Sequence, residues 1–258
     1  MRTWVCTALL IGVLSGCATL PPPNHRNFVA CPIVRDTSTV PCWLAEYEGE
    51  TYFLTIQTDV SAPVTPPWLG HRVLVEGVVS DEPRICGGVV LKPVALSVMQ
   101  ELDESCNTML PAEERYNLTF EPPRPPGPSR GRLSFGDPNM NPQAESTALP
   151  RTFELHYEFD GKVMFRHAQP LQAILAFVRQ SGATRLTITG YRAASLLSSG
   201  EQMLEHAAIG RQRAEQIAEL LKGAGLTEVR YELEWKDVAR EADGRDDAAL
   251  RRVEVIAH

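Results

Sequence analysis

Six cysteines and six histidines are the side chains of this 258-residue chain best suited to nucleophilic, acid–base or metal chemistry, and their spacing decides which of these is open. The histidines, His25, His71, His156, His167, His206 and His258, are scattered, no His-Glu-x-x-His occurs, and no nucleophile elbow joins a strand to a helix. Glu154, His156 and Glu158 alternate as a solvated strand face does, so no catalytic residue is assigned and no enzyme activity is expected. Cys31, Cys42, Cys86 and Cys106 fall in one stretch without a Cys-x-x-Cys pair, which argues against zinc and for two disulfides in an oxidising compartment. Three connectivities are possible. Short local loops favour Cys31 with Cys42 and Cys86 with Cys106, each stabilising the fold by roughly 2 to 4 kcal/mol. Asp243-Gly244-Arg245-Asp246-Asp247 lacks the spaced ligands of a calcium loop and reads as a solvated turn, so neither metal nor cofactor is expected.

Net charge is −7, and residues 151–258 carry 15 basic against 16 acidic side chains, so the acidity belongs to the N-terminal part and an anion site is to be sought in the C-terminal part. No cluster of lysine and arginine with interleaved aromatics is present, which excludes nucleic acid as a partner. The apolar run Val5 to Leu14 is too short to span a bilayer.

Four stretches position these residues. Residues 17–27 contain Pro21-Pro22-Pro23-Asn24, an extended spacer. Residues 28–109 carry strand-like runs, Val40 to Tyr47, Tyr52 to Ile56, His71 to Val79 and Val89 to Val98, and read as a small all-β domain stapled by the disulfides, with an OB-like barrel as a pattern-level analogy that implies no ligand. Residues 110–150 are rich in proline and poor in apolar residues; as a linker they would reach on the order of 100 Å and hold the next domain well away from the first. Residues 151–258 give strands at Thr152 to Asp160, Arg185 to Tyr191, Val229 to Trp235 and Arg252 to Ile256. Helical patterns lie at Pro170 to Gln180 and from Met203 through Ala207, Gly210, Ala214 and Ile217 to Leu221. The order β-α-β-α-β-β is an α/β sandwich with helices on one sheet face.

Two stretches carry family resemblances. Met1-Arg2, the apolar run from Trp4 to Leu14 and then Leu14-Ser15-Gly16-Cys17 have the layout of a secretory signal ending in a bacterial lipobox. The resemblance implies removal of residues 1–16 and a covalent lipid, palmitate included, on Cys17. Ala18, in place of an aspartate, implies anchoring at the periplasmic face of the outer membrane. Residues 152–258 resemble the OmpA-like peptidoglycan-binding domains. Leu186-Thr187-Ile188-Thr189-Gly190-Tyr191 is similar to the strand entering the family's Gly-[His/Tyr]-x-Asp turn, Arg211-Gln212-Arg213-Ala214-Glu215-Gln216-Ile217 to its Arg-Ala helix, and Leu250-Arg251-Arg252-Val253-Glu254-Val255 to its closing Asn-Arg-Arg-Val-Glu strand.

The family's ligand is the diaminopimelate of peptidoglycan, whose zwitterion needs a cation for its carboxylate and an anion for its ammonium. The resemblance makes Arg213 the carboxylate-binding residue, with Arg251, Tyr191, Arg192 and His206 around it. The turn's aspartate is Ala193 here, and His206 and Leu250 stand where the family has asparagines. Two alternatives follow. Either Glu201 or Glu205, in the insertion Ala194 to Glu205, replaces the missing acid and the chain links the outer membrane to peptidoglycan, or the affinity is lost and the domain docks in an envelope assembly with protein partners.

Overall fold

The computed structural model describes residues 21–57, 66–118, 147–162 and 168–258; the leader, Cys17 and most of the proline-rich stretch lie outside them. Among the described residues no helix is long and apolar enough to cross a bilayer.

The first half is built from β1 (His25–Ala30), β2 (Pro32–Arg35), β3 (Cys42–Tyr47), β4 (Glu50–Ile56), β5 (His71–Val79), β6 (Val89–Leu102) and β7 (Met109–Leu110). Their order in the sheet is β1-β5-β6-β4-β3-β2-β7, with β4 and β6 parallel and β2 and β7 parallel. Only Cys31 separates β1, which pairs with β5 at Phe28↔Val75, from β2, which pairs with β3 at Ile33↔Leu44. One bent strand thus joins the β1 edge to β2, next to the opposite edge, and closes a ring of strands, and Pro32, which lacks an N–H, sits at the bend where a ladder bond is not required. Phe28, Trp43, Tyr52, Leu54, Val73 and Val75 fill the inside. Of the residues read as linker, those described from 110 to 118 pack on this half: Leu110 pairs with Arg35, whose guanidinium lies 4.1 Å from the centre of the Tyr116 ring.

The strand pairing overturns the expected disulfides. The bonds are Cys31–Cys106 and Cys42–Cys86, closing separations of 75 and 44 residues. In the β2–β3 register Cys42 lies opposite Arg35, four residues along from Cys31, a displacement of about 13 Å on a strand. The local pair therefore cannot form. Gly70 donates its N–H to the Cys106 carbonyl near the start of β5, and the pairing of β4 with β6 brings Cys86 towards the start of β3.

The second half comprises β8 (Arg151–His156), α1 (Ala168–Ser181), β9 (Arg185–Tyr191), β10 (Ala194–Leu196), β11 (Gln202–Leu204), α2 (Ile209–Gly223), β12 (Arg230–Lys236) and β13 (Arg252–Ala257). Its four-stranded sheet runs β12-β9-β13-β8, with β12 parallel to β9 and β13 antiparallel to both its neighbours. Apolar residues at helical spacing on α1 (Ile174, Phe177, Val178) and α2 (Ala214, Ile217, Leu221) pack on Leu155, Leu186, Ile188, Val253 and Val255 of the sheet. The expected order stands, with one correction: the helix does not begin near Met203. Residues 194–204 form the hairpin β10–β11, in which Met203 pairs with Ser195 and packs with Leu74, Phe159 and Leu197 between the two halves.

The halves are not held apart. Arg251 pairs with Glu76 of β5, the Phe159 N–H donates to Ser97 Oγ of β6, and Asn27 of β1 is bonded to the 196–198 segment, all in buried surroundings.

Candidate functional site at the end of the C-terminal sheet

Gly190, at the end of β9, and Gly210, in the first turn of α2, decide how closely the helix start approaches the strand. A Cβ on Gly190 would collide with the Gly210 carbonyl, so only glycine permits this contact. One turn further on, Arg213 points back towards the sheet end beneath the insertion hairpin, fully buried.

Its five N–H groups each have an acceptor. Nη2 donates to Glu205 Oε1 at 2.6 Å and Nη1 to Glu205 Oε2 at 3.1 Å, a bidentate pair with neither side chain exposed. The remaining donors go to the carbonyls of Gly161 (from Nε, 2.8 Å), Glu158 (from Nη2, 3.1 Å) and Tyr191 (from Nη1, 3.2 Å). The guanidinium also stacks over the Tyr157 ring at 4.6 Å, and burial pushes the Tyr157 phenol up, against the opposing influence of Arg213. Since a guanidinium has five donors and no more, no hydrogen bond is left for an added carboxylate.

Glu205 is equally committed. Besides Arg213 it accepts the N–H of Asp160 at 3.0 Å and that of Ala193 at 2.9 Å. Of the two acids in the 194–205 segment, Glu205 rather than Glu201 reaches Arg213. It neutralises Arg213 internally, however, instead of waiting for an ammonium. Glu201 is exposed at the hairpin turn.

The other expected ligand residues have hydrogen-bond partners of their own within the chain. Arg251 is buried and faces the first half: Nη1 donates to Glu76 Oε1 at 3.1 Å and to Ser195 Oγ at 2.9 Å, and Nη2 donates to Glu76 Oε2 at 2.5 Å. Arg192 donates from Nε to the Glu205 carbonyl at 2.6 Å and from Nη1 to that of Asp237 at 3.3 Å, pinning the hairpin to the loop after β12. Tyr191 donates its hydroxyl to Glu254 at 2.9 Å under the Arg252 guanidinium, which is a packing role. His206 is exposed and binds through its backbone N–H to Asp160 Oδ1 at 2.6 Å. Arg213, Arg251, Arg192 and Tyr191 thus each make side-chain contacts within the chain, and His206 stands at the surface.

Sequence reasoning missed a second constellation, at the junction of the halves. The Asp247 carboxylate accepts the N–H groups of Leu196, Asp243 and Gly244, at 2.8, 3.1 and 3.1 Å. The Asn27 amide donates to the carbonyls of Leu196 and Gly244, at 3.0 and 2.8 Å. One acid in the second half thus holds the two peptides that receive one amide from the first. Burial raises the Asp247 carboxyl above its ordinary value, while these backbone hydrogen bonds pull the other way. The signal available beforehand was slight: Asp247 stood in what read as a solvated turn.

No family model and no curated protein sequence matches the chain. Solved structures similar to it include the following two. The OmpA-like domain of FopA1 from Francisella tularensis subsp. tularensis SCHU S4 is 15% identical, covering 41% of this chain and 70% of its own, with a TM-score of 0.30. The cell wall anchor of the T6SS from Pseudomonas aeruginosa is 20% identical, covering 43% of this chain and 82% of its own, also with a TM-score of 0.30.

Proposed function

We propose that this chain is a lipid-anchored protein of the cell envelope, held at the outer membrane through Cys17, in which the OmpA-like half acts as a structural and docking module and has lost its affinity for peptidoglycan. The observation that carries the reading is the state of Arg213, with all five donors occupied and its charge met by Glu205 in a site with no exposure. A diaminopimelate carboxylate would have to displace that carboxylate, and breaking a buried ion pair costs about 3 to 5 kcal/mol before any new contact is made. Arg251, the second arginine of the motif, is used to join the halves. The first half, with its ring of strands closed by one bent strand and its parallel β4–β6 pair, fits an OB-like barrel. Its part in the reading is that of a partner to the second half.

The test is co-sedimentation of the mature, disulfide-intact chain with purified sacculi, with free meso-diaminopimelate as competitor. The chain is expected to stay in the supernatant, or to pellet to the same extent with and without competitor. Pelleting that the free amino acid reverses would refute the reading.

A further inference from the structure

The residues just after Cys17 show where an anchored chain must leave the lipid. Pro21 to Asn24 read as a free spacer, but they lie on the folded body: His25 donates its N–H to the Pro22 carbonyl, Arg26 Nη1 donates to that of Pro23 at 2.9 Å, and the Val79 N–H donates to that of Asn24. Pro21 itself rests on Gly244 of the second half, so close that a Cβ on that glycine would come within 2.6 Å of the proline ring. Gly244 is the same peptide that receives the Asn27 amide, and Ser198 on the neighbouring hairpin lines the same hollow as the three prolines. The chain therefore enters the body at the junction of both halves.

We propose that the surface around Pro21, Gly244 and Ser198 is the face the protein lays against the lipid leaflet. The inference rests on the lipidation of Cys17 proposed above. Three residues lie between that sulfur's residue and Pro21, and four fully extended residue steps span at most about 14 Å. The C-terminal half is thereby tied as closely to the membrane as the N-terminal half. His25, Arg26 and Glu48 line this hollow, and the exposed Asp243 and Arg245 flank Gly244, a mixture with no excess of cations. Apposition is accordingly set by the anchor and not by attraction to anionic headgroups, so it does not weaken with salt.

Arg245 follows Gly244 directly and is 71% exposed at its side chain; Arg230, 77% exposed, begins β12 at the far end of that strand from the 237–247 loop. Lipidated chain on vesicles of phosphatidylethanolamine and phosphatidylglycerol is treated with phenylglyoxal, and modification is read by mass spectrometry against the soluble Cys17→Ser chain. Arg245 is expected to react several-fold more slowly on vesicles while Arg230 is unchanged, and lengthening the tether by a flexible insert between residues 17 and 21 should restore the Arg245 rate. Vesicle-bound chain in which Arg245 reacts as fast as in solution would overturn the proposal while leaving the anchor in place. Absence of a lipid on the Cys17 peptide, read in the same spectra, would overturn the anchor and this inference together.

Discussion

Replacing Glu205 by alanine is the sharpest probe of the second half, because it removes one carboxylate on which four donors converge. The Arg213 guanidinium would remain buried without a counter-charge, and the Asp160 and Ala193 N–H groups would lose their acceptor. Removing one partner of a buried pair costs about 3 to 5 kcal/mol, a large share of a total stability of about 5 to 15 kcal/mol. With a urea slope near the upper end of about 1 to 3 kcal/mol/M, the unfolding midpoint of the disulfide-intact chain should fall by about 1 to 2 M. Glu215→Ala is the control, since its partner Arg211 lies one turn away on the exposed face of α2 and such a pair is worth about 0.5 kcal/mol. Acetate or formate should raise the midpoint of the Glu205 variant again by filling the vacated place, and chloride of equal ionic strength should not. A Glu205→Ala midpoint as little changed as that of Glu215→Ala would refute the account: Arg213 would then be solvated and open to a ligand.

Glu76→Ala leaves Arg251 unpaired beneath Ser195 and Phe159, and should destabilise the chain by about 3 to 5 kcal/mol, read as a lower urea midpoint for both halves together; two transitions with only one shifted would show that the halves do not support each other. Peptide mapping without reduction should recover Cys31 joined to Cys106 and Cys42 joined to Cys86, and loops of these lengths should each contribute about 4 kcal/mol by chain entropy, so recovery of the two local pairs would reject the strand register of the seven-stranded sheet. The raised carboxyl of Asp247 means that the folded chain holds this proton more tightly than the unfolded chain does. Its favourable contribution is thus fully present below the unfolded value and lost as pH rises through the folded one. The stability of the natural chain relative to Asp247→Asn should therefore grow as pH is lowered from 7 towards 4, and a difference that shrinks on acidification would show the opposite sign of shift.

What could be read from the residues was whatever depends on local pattern. The alternation in β5 and β9 fixes both strands to the residue, and the spacing of Ile174 and Val178 fixes α1 to within two residues at each end. What could not be read depends on register and on what covers a face. β5 shows this most plainly: Val73 and Val75 point into the ring, as alternation requires, but Leu74 and Glu76 on the opposite face are buried as well, because Phe159, Leu197 and Arg251 of the second half cover them. Taken alone, Glu76 is an acid on a solvated strand face, and only the arrival of Arg251 makes it a buried partner. Cysteine pairing failed for a related reason, since loop entropy favours near neighbours whereas the bend at Cys31 and the parallel β4–β6 pair bring distant ones together.

The same distinction explains why residues identifiable from their motifs make contacts that the motifs do not reveal. Arg213 was identifiable from its helix motif, but whether its charge is offered outward depends on an acid eight residues earlier, delivered by a hairpin that the helical spacing of Met203 and Ala207 concealed. Ala193 is intelligible in that setting. It is fully buried and its N–H already donates to Glu205, so an aspartate in its place would bring a second carboxylate against the first. One acid is needed to neutralise one buried arginine. Supplying it from the hairpin makes an acid at the turn a liability, and the hairpin that supplies it carries Leu196 and Ser198 to Asn27 of the first half. Closing the site and joining the halves are therefore consequences of the same insertion.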